Sequence, residues 1–223
     1  MTFSIAARCD RTGMLGAAVS SSSICVASRC AFVRAGVGAA LSQNITDPRL
    51  GPAMLDLVDE GLAARHALKN VVNKTEDIDF RQLGVIDNEG QTACYSGVST
   101  LGRYAIAEGE NCFAMGNLLA NETVPNAIVE AFQASNGHLG LRLLTALQAG
   151  LAAGGEAGPV RSAGVLVAYK VPWPIVDLRV DWDKAPIERL LTIWEEYEPQ
   201  IEDYLVRALD PSAAPSYGVP GEQ

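Results

Sequence analysis

The second residue of the chain is a threonine, in the opening stretch Met1-Thr2-Phe3-Ser4-Ile5. A hydroxyl is a poor nucleophile at neutral pH and needs a base. A threonine at a chain terminus carries one on the same residue. Its α-amine has an ordinary pKa of about 7.7–8.0, close to working pH. That chemistry requires removal of Met1, and methionine aminopeptidases favour a small second residue such as Thr2. Acyl transfer also needs donors for an oxyanion and an anchor for the substrate. Met115-Gly116-Asn117 offers the Asn117 amide as such a donor, and reads equally as a turn before a helix. Arg34 has the planar fork for a bidentate grip on a substrate carboxylate, or for an ordinary salt bridge. Gln43, at the end of a strand region with Asn44, reads as pocket lining or as a loop cap.

Other reactive side chains point to less. His66 and His138 lie on helical stretches with no evident Ser or Asp partner, so both read as surface or helix-end histidines. The five cysteines include no C-x-x-C pair, and mostly sit in apolar strand context as small core residues. Neither histidine has metal-ligand spacing to a cysteine, so no metal and no cofactor is expected. Asp56, Asp59 and Glu60 read as a solvated helix face.

These residues need elements to hold them. A chain of 223 residues, 48% of them hydrophobic, suffices for one domain with a sizeable core. We expect that domain over residues 1–209, with a flexible Pro-, Ser-, Ala- and Gly-rich tail at 210–223. The formal charge of −9 repels phosphate backbones and anionic lipid, which argues against nucleic-acid and membrane partners. No apolar run approaches membrane-spanning length. No secretory leader is read ahead of Thr2, so the expectation is a cytoplasmic protein with reduced thiols.

In the first strand, Phe3, Ile5 and Ala7 share one face and Thr2, Ser4 and Ala6 the other. A turn at Asp10–Gly13 predicts a hairpin into a strand over residues 14–28. Residues 34–44 read as another, small-residue strand region. Helical spacing follows in Met54, Leu55, Val58 and Leu62, then in Leu68, Val71 and Val72. Strands return at Leu83–Asp87 and Thr92–Tyr95 around an Asn88–Gly90 turn, and again through residues 104–117. Two helices carry Val124, Ile128, Val129 and Phe132, then Leu139, Leu143, Leu144, Leu147 and Leu151. An apolar strand at 161–171 precedes a last helix from about Pro186, which Pro199 divides. This order lacks βαβα alternation and suits stacked antiparallel sheets with helices outside. Trp173, Trp182 and Trp194 offer an aromatic face for a homo-oligomer, although core burial is the commoner fate of such residues.

The set of stretches "TFSIAAR", "LGAAV", "RAGVGA", "SQNITDPRLGP", "RQLGVID", "MGNLLA", "SAGVLV" and "DLRVD" runs in order along most of the chain. It resembles the bacterial and archaeal domain of unknown function 1028 family, placed with the Ntn (N-terminal nucleophile) hydrolases. The resemblance implies an α+β fold, a four-layer α/β/β/α sandwich of two antiparallel sheets between helices. It also implies that Thr2 aligns with the nucleophile position. The chain departs from the family in having Met115 before Gly116-Asn117 where glutamine is usual. It has Ala31-Phe32 in place of Pro-Trp, Arg161 in place of glutamine, and Trp182-Asp183 in place of Asp-His. The function expected is an amidohydrolase acting on a small amide-like substrate, with Thr2 as nucleophile and base, Asn117 as oxyanion donor, and Arg34 and Gln43 at the substrate. The alternative is a non-catalytic small-molecule binding or assembly protein on the same fold.

Overall fold

The alternation in the first strand sorts its residues between two different cores. The computed structural model describes residues 1–219, and the last four residues of the tail expected at 210–223 lie outside the described residues. Strand β1 (Thr2–Arg8) directs Phe3, Ile5 and Ala7 into a core shared with helices. Its other face, with Ala6, looks towards a second sheet.

β1 lies inside a six-stranded antiparallel sheet of order β10-β9-β2-β1-β8-β7. Its neighbours are β2 (Leu15–Ser21) and β8 (Cys112–Asn117). β7 (Ala105–Gly109), β9 (Ser162–Ala168) and β10 (Pro174–Val180) complete it. The second sheet has the order β3-β4-β5-β6, from β3 (Ala31–Arg34), β4 (Gly38–Asn44), β5 (Arg81–Asp87) and β6 (Thr92–Ser96).

Helices cover both outer faces. α4 (Val124–Ala134), α5 (Leu139–Ala152) and α6 (Pro186–Tyr197) pack on the six-stranded sheet through Phe3, Ile128, Leu143, Leu147 and Trp194. α2 (Leu50–Asp59) and α3 (Ala64–Lys74) pack on the smaller sheet through Met54, Leu55, Leu68 and Leu83. A third core fills the gap between the sheets, with Ala17, Val19, Leu41, Ile86, Phe113 and Met115. The fold is therefore the four-layer α/β/β/α sandwich of two antiparallel sheets. The small residues of β4 and β5 let the sheets approach. The Phe113 ring lies over Gly84, where a Cβ would stand 2.2 Å from Cε2.

Several boundaries differ from the sequence reading. The strand expected over 14–28 ends at Ser21, and a four-residue helix, α1 (Ala27–Cys30), follows. Hydroxyl bonds to the backbone are the cause: within the serine run Ser21 Oγ accepts from Ser23 N, and Ser162 Oγ, from β9, accepts from Val26 N and donates to the Ser23 carbonyl. Such side-chain bonds turn the backbone out of the ladder. The region 34–44 splits at a turn in which Gly36 has φ +71°. Pro174–Val180, not read as a strand, pairs antiparallel with β9. The tryptophans do not form one face. Trp194 is core, with Nε1 donating to Glu198, whereas Trp182 is 61% exposed. The last helix divides as expected near Pro199, and α7 (Ile201–Leu209) follows. Beyond it, Arg207 lies over the Tyr217 ring at 3.8 Å, so residues of the expected tail contact α7.

Candidate functional site

Thr2 is the first residue of β1, on the strand face that looks into the gap between the sheets. It pairs across the ladder with Asn117, the last residue of β8. Directly opposed residues in antiparallel strands share a face. On the other side stands Ser21, the last residue of β2, whose Oγ is 3.4 Å from Thr2 Oγ1. Both hydroxyls donate to the carbonyl of Met1. Thr2 is only 6% exposed, and the Met1 side chain packs beside Gly158.

Below Thr2 runs a buried polar network that joins the two sheets. Ser4 Oγ donates to Gln43 Oε1 at 2.7 Å, and Gln43 Nε2 donates to Gln82 Oε1 at 2.8 Å. Gln82 Nε2 donates to the Gly116 carbonyl at 3.1 Å and to Ser96 Oγ at 3.0 Å. A backbone carbonyl can only accept, so the Gly116 bond fixes which way the Gln82 amide points. Gln82 Oε1 must then face Gln43 and Asn117, and both must donate. Asn117 Nδ2 does so at 3.1 Å. Asn117 Oδ1 is consequently turned the other way, and is buried without a partner. The site thus holds an unused acceptor at Asn117, while the amide donor is committed to Gln82.

A second set of unused acceptors comes from Glu156. Two glycines with positive φ, Gly154 at +119° and Gly155 at +60°, turn the chain sharply after α5. This lays Glu156 against Leu119 in an isolated bridge. Flanking bonds hold it there, from Ala120 N to the Gly155 carbonyl and from Ala157 N to the Leu118 carbonyl. Leu118, next to Asn117, takes the left-handed conformation with φ 50°. Non-glycine residues in that region store strain, and such residues cluster at functional sites. Glu156 is 4% exposed, and neither carboxylate oxygen has a hydrogen bond of ordinary geometry. Burial pushes its pKa up to about 7; the α-amine of Met1 and nearby Ser22 pull the other way.

The other residues singled out from sequence lie as follows. Gln43 is fully buried and belongs to the network beneath Thr2. Arg34 is not brought to this site. It pairs with Gly38 at the far end of β4 from Gln43, roughly 17 Å along the strand. Its guanidinium binds Asp56 at 2.7 Å and Asp59 at 3.3 Å. Two carboxylates of α2 thus occupy the fork that a substrate carboxylate would use. His138 caps α5, accepting from Gly140 N through Nδ1, and packs on Trp194. Burial lowers its pKa. His66 is exposed. Burial raises Cys30, and raises Cys112 to about 11, so neither thiol is poised as a nucleophile. Among the described residues no three His, Cys, Asp or Glu side chains cluster as a metal site. No helix among them is long and apolar enough to cross a membrane.

Residues 2–190 match a family described as a family of unknown function, DUF1028. The chain belongs to this family. A crystal structure of a DUF1028 protein, SPO2555 from Silicibacter pomeroyi, is 28% identical with a TM-score of 0.84, covering 91% of this chain and 94% of that one. Anbu, the ancestral β-subunit, from Yersinia bercovieri also matches, at 13% identity and a TM-score of 0.39 over 91% of this chain and 97% of that one. Anbu from Hyphomicrobium sp. strain MC1 matches at 11% identity and a TM-score of 0.43, over 97% and 100%. Both Anbu scores are too low to bear on this chain. A search of curated proteins finds no match. The DUF1028 fold is seen here as the four-layer sandwich, with Thr2 at the start of an inner strand.

Sequence reasoning missed Gln82, Ser21 and Glu156. Gln82 had a signal, as a glutamine on the inward face of a strand otherwise rich in apolar residues. Ser21 had a weaker one, in the serine run that ends β2. Glu156 had none, because only the turn at Gly154-Gly155 and the bridge to Leu119 bring it to β8.

Proposed function

We propose that this protein is an N-terminal-nucleophile amidohydrolase for a small amide-like substrate, with Thr2 as nucleophile once Met1 has been removed. The observation that carries the reading is the setting of Thr2. It is a hydroxyl residue at the first position of an inner strand, between Ser21 and Asn117, on the strand face that looks into the layer between the sheets. Most chain ends fray; this one is tied into a sheet on both sides. Removal of Met1 would free the α-amine of Thr2 as a general base and release its hydroxyl from the Met1 carbonyl.

In this mechanism Thr2 Oγ1 attacks the substrate carbonyl carbon while its proton passes to the α-amine. The resulting ammonium then protonates the leaving amine as the C–N bond breaks. Water, deprotonated by the same amine, hydrolyses the ester on Thr2. Ser21 Oγ, next to the nucleophile, supplies a hydroxyl to the reacting oxygen. For Asn117 to donate to an oxyanion, its Nδ2 has to leave Gln82 Oε1. Intact mass of the protein made in its native host tests the first requirement. Loss of Met1 is expected; a chain that keeps Met1 cannot use this mechanism.

A further inference from the structure

Glu156 is a buried acid that the mechanism above does not use. A carboxylate removed from water without hydrogen bonds is costly, and such groups are retained where something pairs with them. Here neither oxygen has a hydrogen bond of ordinary geometry, although the Ser22 hydroxyl and N–H lie beside them, and Asn117 Oδ1 has no partner. Three unused acceptor atoms therefore belong to residues that flank the start of β1. Asn117 pairs with Thr2 directly, and Glu156 is bridged to Leu119, two residues further on. Donors are scarce in the same place. The Thr2 and Ser21 hydroxyls are turned to the Met1 carbonyl. Among the described residues, the charged group that acts on Glu156 is the α-amine at the chain start, and Ser22 is the neutral group beside it. Acceptors that outnumber well-placed donors fit an ammonium group.

We propose that Glu156 is the positioning residue for the α-amine of Thr2: in the processed chain its carboxylate receives the Thr2 ammonium and holds it beside the Thr2 hydroxyl. Asn117 Oδ1 is the second acceptor. The proposal rests on the reading of Thr2 as an N-terminal residue. It adds the proton's route. When the ammonium passes its proton to a Glu156 oxygen, the amine is left neutral with a free lone pair, and takes the Thr2 hydroxyl proton as Oγ1 attacks. No other co-reactant is needed. In a buried pair of this kind one proton is shared between two sites that titrate together.

The test uses the full chain released from an N-terminal fusion so that Thr2 is its first residue. This makes the outcome independent of Met1 processing and of turnover. Trace acetic anhydride is applied across a pH series, and acetylation of the Thr2 α-amine is followed by peptide mass, with Lys184 as the internal control. A nearby carboxylate favours the ammonium. Glu156→Gln is therefore expected to lower the titration midpoint of the α-amine by about one pH unit, with several-fold faster labelling near neutral pH. Glu156→Asp keeps the charge and is expected to stay closer to the parent chain. A purely structural role would change melting without moving the amine midpoint. Identical midpoints in the parent chain and Glu156→Gln, or equal shifts in the Asp and Gln variants, overturn the assignment. Failure of the Thr2 hydrolase reading would show separately, as Met1 retained in the native host.

Discussion

Asn117 reaches across the gap between the two sheets and donates its Nδ2 to Gln82 Oε1 at 3.1 Å. That bond makes Gln82 a junction, with its carbonyl receiving two donors and its amide serving Gly116 and Ser96. It also decides what Asn117 can offer Thr2, its cross-strand partner. The outward atom is an acceptor.

Loss of this junction should be felt in stability. Gln82→Leu keeps the volume but strands the Asn117 and Gln43 amides and the Gly116 carbonyl in a buried layer. Stranded buried polar groups each cost about 1–3 kcal/mol, and a shared network adds coupling. We expect a loss of at least about 3 kcal/mol in urea denaturation. Ser96→Ala, which removes a single partner of Gln82, should cost no more than about 1.5 kcal/mol.

The close approach of the sheets makes a second prediction. A methyl group at Gly84 would meet the Phe113 ring at 2.2 Å. Gly84→Ala should destabilise the fold by about 1–3 kcal/mol, as overpacking does. Phe113→Leu creates space on its own, and in combination with Gly84→Ala should recover part of the loss. Additive losses in a double-mutant cycle would show that the two positions do not share that space.

How much of this was legible beforehand follows from the range of the forces involved. The alternation in Thr2–Arg8 is local, so the two faces of β1 could be read directly, and the ordered family stretches implied the four layers. The serine run misled because Ser21 and Ser162 bond to backbone at residues 23 and 26, a competition that apolar periodicity does not register. Gln43 could be named but not its partner, since Gln82 meets it only through strand pairing. Arg34 had the right chemistry in the wrong place. Its fork is filled by Asp56 and Asp59, which were read only as a solvated face. Glu156 was invisible because its significance is the absence of partners, and that exists only in three dimensions.

Arg34 itself gives a negative control. Its ion pairs are exposed, and exposed pairs are worth about 0–1 kcal/mol. Arg34→Ala should therefore leave urea midpoints nearly unchanged, and should leave any reaction at Thr2 unaffected. A loss of that reaction would restore Arg34 as a substrate clamp.

The pH dependence of stability should carry the mark of Glu156. In the folded chain that keeps Met1 its pKa is raised by burial to about 7, against 4.5 ordinarily. Between those values the folded chain binds more protons than the unfolded one, so stability falls as pH rises through this window. The loss amounts to about 3 kcal/mol at most, at 1.36 kcal/mol per pH unit. Glu156→Gln removes this slope, and its melting temperature should exceed that of the parent chain above neutral pH. Melting curves from about pH 5 to 8 would show it; parallel profiles for the two proteins would not fit the assignment.

The central claim concerns Thr2 as a nucleophile, and a β-lactone tests it most directly. Attack by Thr2 Oγ1 on the lactone carbonyl opens the ring, leaves an ester on Thr2, and delivers the hydroxyl proton to the released alkoxide. The chain beginning at Thr2 should gain one lactone mass, located by peptide mass spectrometry on Thr2 Oγ1, and Thr2→Ala should gain none. An unmodified parent chain, or equal modification of Thr2→Ala, would contradict the account.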